Sequence, residues 1–348
     1  MRKLVAALAV TSLVDAATLW VSQVSGPFPS VVPLGNPTAY RNLYVHVPIS
    51  VSTYLLFTSG FLLALAYLLR GSSWMEAAAH SFIVAGLVMG FSTLVTGMIW
   101  ASESWGSPWN WDPRETGVLF MFLAFLVYLA VRSSIKDPDV RPKVSMAFAV
   151  AAYATIPLSF VVPYLMPSLH PTMPETSMFV RGGLTPLIFG GRILLVSLEA
   201  ILLALLMRSG GAGRAKLAVI PVVLVALLLV ATQIPPNLAG GTGGTFKVQV
   251  ISGTVVNGTL HLEVRSSQGK YELLYDGKPP INPLFVSFGG EKRLTLEKHW
   301  LLVEGRVKDG KIVASSLRLI PYWGNAVNSL IYALTLLTLA YLAGRGRK

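Results

Sequence analysis

Long apolar runs separated by short polar segments form most of this chain, and each run has the length of a helix that crosses a bilayer. Such a helix needs about 20 consecutive apolar residues. Eight runs meet this description: Leu4 to Val24, Leu43 to Leu69, Met75 to Trp100, Gly117 to Val131, Val144 to Leu165, Leu187 to Met207, Leu217 to Ile234 and Ala326 to Ala343. The pattern predicts an α-helical polytopic membrane protein with about eight spans.

The pattern changes to strict alternation between the seventh and eighth runs, from Thr245 to Ile320. Leu260, Leu262 and Val264 alternate with polar residues there, as in a half-buried strand. The dipeptides Asn257-Gly258 and Asp309-Gly310 are typical of tight hairpin turns. We expect five or six strands that form a small extracytoplasmic all-β barrel of the OB type, inserted before the last span.

These patterns divide the chain into four predicted parts. They are a six-helix core (1–208), a seventh span with a Gly-rich linker ending at 240–244 (209–244), the β domain (245–322) and a last span with a basic tail (323–348). Because membrane spans flank the β domain on both sides, we expect it to stay close to the membrane.

Composition excludes several classes of protein. The chain is 53% hydrophobic and only 13% charged, whereas soluble domains carry about 25% charged residues. This excludes a soluble cytosolic enzyme and a disordered chain. The chain has no Cys, which excludes disulfides, thiolate metal sites, thiol redox chemistry and a CxxCH site for covalent haem attachment.

The net charge of +12 is explained by membrane topology. Of the 28 basic residues, thirteen lie at one set of alternating helix ends, four lie on the opposite side (three of them in loops and Arg192 inside a span) and eleven lie in the β domain. Cytoplasmic loops are the basic ones, and long translocated segments do not count in this rule. We therefore expect both termini in the cytoplasm, the β domain outside, and no binding of nucleic acid.

The outer loop after the third run is rich in Trp. Four of the eight Trp residues lie in it or just before it: Trp100, Trp105, Trp109 and Trp111. An interfacial aromatic belt explains part of this pattern. Asp112, Pro113 and Glu115 further predict an N-cap, a first-turn proline and a capping box for the fourth span. Three Trp residues in one short loop exceed what a belt needs, and they favour a flat surface for a large aromatic ligand.

Two histidines share the outer face with this loop by the charge count. His46 begins the second span and His170 follows the fifth, whereas His80 lies near the cytoplasmic end and is interpreted as a helix-contact residue. A lone His is more often packed or solvated than a ligand. Two imidazoles beside an aromatic surface are nevertheless what an iron porphyrin needs. Three basic residues in the outer loops are candidates to pair with its propionates, namely Arg41, Arg114 and Arg181.

These residues carry a family resemblance. The loop Trp105–Thr116 resembles the Trp-rich WWD signature of the haem-handling proteins of cytochrome c maturation, the CcmC, CcmF and CcsA group. Within that group, Tyr44-Val45-His46-Val47-Pro48, Leu94-Val95-Thr96-Gly97 and Leu169-His170 resemble the CcmC type most closely. The resemblance covers about Leu4 to Arg208.

The resemblance implies a function and a site. His46 and His170 would be axial ligands of a non-covalent b-type haem, which is delivered to a CcmE-like chaperone or an apocytochrome c. An ABC-transporter complex of the maturation system is a further expected partner, and the expected location is the prokaryotic plasma membrane. The residues expected to contact haem besides the two histidines are Trp100, Trp105, Trp109, Trp111, Asp112, Arg114, Arg41 and Arg181.

The β domain is similar, more weakly, to the haem chaperone CcmE. Tyr275 to Pro280 and Val303 to Val307 carry this likeness. The place of the chaperone's haem-attaching His reads Leu317 to Trp323 and contains no His, so covalent attachment of the usual kind is not expected. His261 is interpreted as a solvated residue, and His299 as a weaker ligand candidate.

Two other functions stay open. A CcsA-like cytochrome c haem lyase shares the Trp loop and two outer histidines but relays haem through further histidines in its spans, where this chain has only His80. A haem transporter or channel would use the charged residues inside spans, Asp15, Arg192 and Glu199. Arg192 and Glu199 are about 10 Å apart by helical rise, so partners on neighbouring helices are expected for both.

Overall fold

The structure is a computed structural model. It describes residues 1–25, 37–171, 177, 180–181, 183–209, 213–232, 244–280, 284–288, 291–297, 299–320 and 323–345. The predicted linker residues 240–243, as well as Lys298, Pro321 and Tyr322, lie outside these ranges. The helices are α1 (Arg2–Trp20), α2 (His46–Arg70), α3 (Ser73–Ser104), α4 (Pro113–Ser134), α5 (Val140–Ala152), α6 (Thr155–Leu165), α7 (Thr185–Ser209), α8 (Ala215–Ala218), α9 (Ile220–Ala231) and α10 (Trp323–Gly344).

Seven helical segments in the described part of the chain are long and apolar enough to cross a membrane, and each coincides with a predicted run. The remaining run, Leu217 to Ile234, is shorter than predicted because it forms the two short helices α8 and α9. Pro221 lies in the first turn of α9, where its missing N–H costs no hydrogen bond. Residues 215–231 together rise about 25 Å, close to the ~30 Å thickness of the hydrocarbon core.

The fifth predicted span is broken between α5 and α6. Pro157 has no N–H to donate to the carbonyl of Tyr153, and the N–H of Ile156 donates to that carbonyl instead, at 2.9 Å. This local tightening separates α5 from α6. Helix α6 packs against α4, where Gly117 is so close to Ser159 that an added Cβ would lie 3.0 Å from its Cα. The break therefore positions the outer segment that follows α6.

The helical core is organised around the pair α2 and α3, which make the most extensive contact in the molecule. Two glycines allow this approach, since a Cβ at Gly86 would meet the ring of Phe57 at 2.6 Å and one at Gly60 would meet Ile83 at 2.8 Å. Helix α10 packs into the same core against α3, α7 and α9. The last helix is thus an internal element, although the β domain separates it from the others in sequence.

The β domain forms a closed five-stranded barrel in the order β1-β2-β3-β7-β6, with β3 and β7 parallel, and β4 and β5 form a separate two-stranded sheet. This confirms the predicted small barrel. Its strands are β1 (Gly244–Val256), β2 (Thr259–Ser266), β3 (Gly269–Tyr275), β4 (Phe285–Phe288), β5 (Glu291–Leu294), β6 (Trp300–Lys308) and β7 (Lys311–Leu319).

Turn chemistry and alternation within the barrel follow the sequence prediction. Asn257 and Asp309 have φ of 50° and 53°, and the glycine after each also has positive φ, as a two-residue hairpin requires. On β2, Leu260, Leu262 and Val264 are buried in the barrel core.

Candidate functional site

His46 is the first residue of α2, and its imidazole lies against the last turns of α3. Gly97 makes room for the ring, because a Cβ there would lie 3.0 Å from His46 Cε1. The Nδ1 of His46 is 2.9 Å from Thr96 Oγ1. That hydroxyl already donates its hydrogen to the carbonyl of Ser92 at 2.7 Å, so it accepts from His46. The Nδ1 therefore carries the proton, and the lone pair is on Nε2, which lies 3.5 Å from Ser50 Oγ. Because that hydroxyl donates to the carbonyl of His46 at 3.0 Å, the Nε2 lone pair is the one available to a metal.

His170 is held by Asp112 in a similar way. Its Nδ1 lies 2.8 Å from Asp112 Oδ1, and an ionised carboxylate can only accept. Nδ1 thus donates, which again leaves the lone pair on Nε2. The same carboxylate accepts the Ser168 hydroxyl at 2.8 Å and the Leu169 N–H at 2.6 Å through Oδ2. A carboxylate that orients a histidine through its second nitrogen is typical of metal-ligating histidines.

Asp112 links the Trp loop to the segment after α6. Its side chain is only 1% exposed, and Oδ1 also accepts the N–H of Arg114, which confirms the predicted N-cap of α4. Burial alone would raise its pKa, but the hydrogen bond and charge of His170, followed by Ser168 and the Leu169 N–H, lower the pKa well below its usual range. The carboxylate stays ionised at neutral and mildly acidic pH, and this stabilisation is lost only as pH falls through the lowered pKa.

The capping-box prediction was only partly right. Glu115 Oε2 accepts the N–H of Asn110 at 2.9 Å, two residues before the N-cap, instead of the N–H of Asp112. Ser107 further donates to the carbonyl of Trp109 at 2.8 Å. The loop is therefore fixed internally by its own polar side chains, and the indoles are presented from a rigid frame.

Each histidine meets one indole edge to face. His46 and Trp100 have ring centroids 5.8 Å apart at 71°, and His170 and Trp105 have centroids 4.7 Å apart at 69°. Trp100 is in the last turns of α3 and Trp105 directly follows that helix, so both imidazoles lie near the same helix end. The structure thus brings the predicted ligand pair together at one end of the helical core, each beside a Trp.

Trp109 and Trp111 form the outer part of the loop, with perpendicular rings 5.8 Å apart. Trp111 has φ of 54° and is 74% exposed. Positive φ is an outlier for a bulky residue, and such strain is common at functional sites. A cleft of about 250 Å³ lies beside it, lined by Trp111, Asp112, Pro113 and residues 167–169. Trp111 thus exposes its indole at the cost of a strained backbone, as we expect of a residue that contacts a ligand.

The three candidate arginines differ in their surroundings. Arg114 stacks over Phe160, with 5.6 Å from its guanidinium carbon to the ring centroid, and its Nε and Nη2 are buried without a hydrogen-bond partner among the described residues. Arg41 is buried, and its Nη1 donates to the carbonyl of Ser22 at 3.1 Å, so it serves internal packing. Arg181 is exposed.

The site fits a porphyrin cargo by its donor set. Two imidazoles have Nε2 lone pairs available, and the Trp100 indole nitrogen is, like Arg114, buried without a hydrogen-bond partner in the part of the chain that the structure describes. Buried polar atoms of this kind call for a partner, and an unpartnered guanidinium suits a propionate. Neither here nor elsewhere in the described residues is a cluster of three or more His, Asp or Glu side chains placed to hold a metal ion by itself.

The two barrel histidines have other surroundings. His261 Nδ1 lies 3.1 Å from Glu272 Oε1 on the outer face, next to the Lys311–Glu272 ion pair at 2.7 Å. His299 is fully buried, and burial lowers its pKa to about 4 despite the nearby carbonyl of Glu297. Neither lies beside an indole loop like that of the helical core.

Comparison with known proteins gives one family. Residues 1–170 match the family described as "Cytochrome C assembly protein". The chain is 35% identical to Heme exporter protein C of Rhodobacter capsulatus over 97 residues, which cover 28% of this chain and 40% of that protein. It is 29% identical to Heme exporter protein C of Haemophilus influenzae over 124 residues, covering 34% and 49% of the two chains.

A second group of relatives has a different name. The chain is 39% identical to the Cytochrome c biogenesis protein CcsA of Calycanthus floridus var. glaucus over 74 residues, covering 20% of this chain and 23% of that protein. Each of these matches spans less than half of the relative's own length.

Proposed function

We propose that this multi-pass membrane protein of cytochrome c biogenesis, whose residues 1–170 match the cytochrome c assembly protein family, binds haem between His46 and His170 and delivers it for cytochrome c maturation. The observation that carries the proposal is the shared geometry of the two histidines. Each has its Nδ1 engaged by an acceptor, Thr96 or Asp112, and each lies edge to face with an indole.

The residues around the two histidines take complementary roles toward the cargo. Trp100 and Trp105 support the imidazoles, while the exposed indole of Trp111, with Trp109 perpendicular to it, supplies a flat face on which a porphyrin stacks. Arg114 pairs with a propionate through its unpartnered nitrogens. Asp112 acts on haem indirectly, by orienting His170. Neutral bis-imidazole ligation without a covalent bond allows one axial bond to be exchanged for a ligand of the acceptor.

The proposed topology places this site at the outer face of a prokaryotic plasma membrane, with both termini in the cytoplasm. The basic residues at alternating helix ends support it. An even number of crossings requires α8 and α9 to complete a passage together, and their combined rise of about 25 Å is sufficient in a slightly thinned bilayer.

The proposed acceptor is a CcmE-like haem chaperone or an apocytochrome c, and an ABC-transporter complex of the maturation system is a further partner. The barrel, with its CcmE-like sequence features, guides or covers the transfer. It lies between α9 and α10 in the chain, so both of its ends are tied to the helical core.

Absorption spectra of the detergent-purified full chain test the ligand assignment. His46→Ala and His170→Ala should each remove or shift the bands of a bis-imidazole haem. His80→Ala is the matched control, because this imidazole contacts the hydroxyl of Tyr128 at 3.0 Å instead. If both ligand variants keep the parental haem spectrum, the assignment is wrong.

A CcsA-like haem lyase is the second candidate, and the similarity to CcsA relatives favours it. The two functions separate when the chain is coexpressed with a CxxCH apocytochrome and no other maturation factor. A covalent cytochrome product identifies a lyase, whereas haem that remains extractable identifies a delivery protein.

A further inference from the structure

A buried polar cluster lies away from the histidines, among α1, α7 and α10. It consists of Ser12, Asp15, Arg192, Glu199 and Tyr332, and all five side chains belong to residues with no exposed surface. Arg192 and Glu199 lie outside the family match, as does Tyr332. Charged groups inside a membrane protein are costly and usually serve a function.

The five side chains of the cluster form one continuous network of hydrogen bonds and one ion pair. Ser12 Oγ lies 2.6 Å from Glu199 Oε1, and Glu199 Oε2 is hydrogen-bonded to the Tyr332 hydroxyl. The same hydroxyl is 2.9 Å from Asp15 Oδ2. Asp15 Oδ1 forms an ion pair with Arg192 Nη1. Arg192 also donates through Nε to the carbonyl of Tyr44 at 3.0 Å.

The hydrogen bonds of this network require one more proton than two ionised carboxylates and a neutral phenol supply. A phenol has one hydrogen to donate, yet Tyr332 bridges two carboxylates. If Asp15 and Glu199 were both ionised, one of the two oxygen–oxygen contacts would be repulsive. The three ionisable groups would also carry a net charge of −1 in a site with no exposed surface, which burial strongly disfavours.

From this geometry we propose that Ser12, Asp15, Arg192, Glu199 and Tyr332 form a buried proton-binding site, in which Glu199 holds one proton. The assignment to Glu199 follows from the cation, because Arg192 forms its ion pair with Asp15 and not with Glu199. Glu199 Oε2 donates to Tyr332, Tyr332 donates to Asp15 Oδ2, and Ser12 donates to Glu199 Oε1. Each contact between Ser12, Glu199, Tyr332 and Asp15 then has one donor and one acceptor and the net charge is zero, although Arg192 Nη2 has no hydrogen-bond partner among the described residues.

The groups that face Glu199 come from three helices. They are Ser12 and Asp15 on α1, Tyr332 on α10 and Arg192 on its own helix. Of the other elements packed against α7, α2 contributes Ser52, which contacts Ser197 at 3.1 Å. The segment Pro37–Tyr44 contributes Arg41, which donates a hydrogen bond from Nη1 to the carbonyl of Ser22. Loss of the proton would leave an unbalanced negative charge where three helices meet, so protonation of the site favours the packing of α1, α7 and α10.

Infrared difference spectroscopy of the full chain in detergent tests the proposal directly. A protonated carboxylic acid has a C=O stretching band distinct from that of a carboxylate, and the band shifts in D₂O. We expect this band in the parent protein and its loss in Glu199→Gln. We further expect a shift of the band in Tyr332→Phe, which removes the acceptor of the proton, but no shift in the control Tyr128→Phe. A band of unchanged intensity in Glu199→Gln overturns the proposal.

Amide substitutions give a second, independent test. Gln at 199 reproduces the donor and acceptor of a protonated Glu, so Glu199→Gln should leave the melting temperature within about 3 °C of the parent. Asp15→Asn leaves Arg192 without its counter-charge and should lower the melting temperature by about 10 °C or prevent folding. Equal losses in both variants, or a greater loss in Glu199→Gln, contradict the assignment. Neither measurement involves haem, so the outcome is independent of the proposed function.

Discussion

Two carboxylate-centred networks in this protein solve different electrostatic problems with similar residues. In the outer loop, Asp112 is nearly buried but accepts four hydrogen bonds, from His170, Ser168 and two backbone N–H groups. Between the helices, Asp15 and Glu199 share one phenol, while Arg192 pairs only with Asp15 and Ser12 donates only to Glu199. Asp112 has enough hydrogen-bond donors to stay ionised. Asp15 and Glu199 together have too few, so in our proposal one of them holds a proton. The number of hydrogen-bond donors around a buried carboxyl group therefore determines whether the group is ionised or protonated.

The largest expected effect comes from removing the only guanidinium of the helix network. Arg192→Met leaves Asp15 as an uncompensated buried charge, and breaking a buried pair in this way typically costs about 3–5 kcal/mol of unfolding free energy. Thermal unfolding in detergent measures it, with Arg208→Met as the control, because Arg208 stacks on Trp74 near the end of α7. Equal stability of the two variants would show that the ion pair carries no net stabilisation.

Removing the charge of the loop carboxylate should affect the ligand more than the fold. In Asp112→Asn, the amide can donate as well as accept, so His170 Nδ1 no longer has to donate and the imidazole loses its fixed tautomer. Changes to a group that orients a metal ligand typically weaken metal affinity about 10–100-fold. Haem titration followed by absorbance measures the change. Glu115→Gln is the matched control, since Glu115 contacts only the Asn110 N–H in this loop. Parental affinity in Asp112→Asn would contradict the orienting role.

His299 extends the comparison to a buried base in the barrel. Its folded-state pKa of about 4 lies below the ordinary value of 6.5, so the unfolded state binds a proton first as pH falls. Stability is complete above about pH 6.5 and decreases toward pH 4, with a loss of about 2 kcal/mol at pH 5 relative to pH 7.5. Hydrogen exchange of β1 and β6 in the full chain reports this loss. His299→Gln should reduce the pH dependence, and an unchanged profile would contradict the assignment.

The smallest expected effect concerns His46, which is oriented by a neutral acceptor. Thr96→Val removes the hydroxyl that accepts from Nδ1, and a neutral hydrogen bond contributes about 1 kcal/mol, equivalent to several-fold in haem affinity. The matched control is Thr93→Val, whose hydroxyl contacts Thr53 on α2 at 2.9 Å. If Thr96→Val reduced haem affinity as much as Asp112→Asn, the charge of Asp112 would not be what distinguishes it from Thr96 as an acceptor for a histidine.

Hydropathy and turn chemistry were sufficient to predict the architecture because both are local signals. The seven long helices and the hairpins at Asn257 and Asp309 are confirmed. The break in the fifth span was missed, although Pro157 lies near its centre, because proline is tolerated in membrane helices and a long apolar run conceals its effect.

The contacts within the site depend on which helices meet, which the sequence pattern does not specify. Asp112 was predicted as a cap, and its hydrogen bond to His170 joins segments 58 residues apart. Arg41 was expected near a propionate, but it is buried against Ser22. Tyr332 was overlooked, although a signal was present: Asn325, Ser329 and Tyr332 recur at helical spacing on one face of an otherwise apolar helix.

The internal position of α10 has a consequence for biosynthesis. Residues 323–344 supply Tyr332 to the Asp15–Glu199 network, and they supply Asn328, whose Nδ2 donates to the Thr96 carbonyl at 3.1 Å. These contacts can form only after the ribosome has synthesised the barrel and the helix that follows it. A chain truncated before α10 therefore lacks part of the support behind His46, so the proposed haem site would be complete only once α10 has been made and packed.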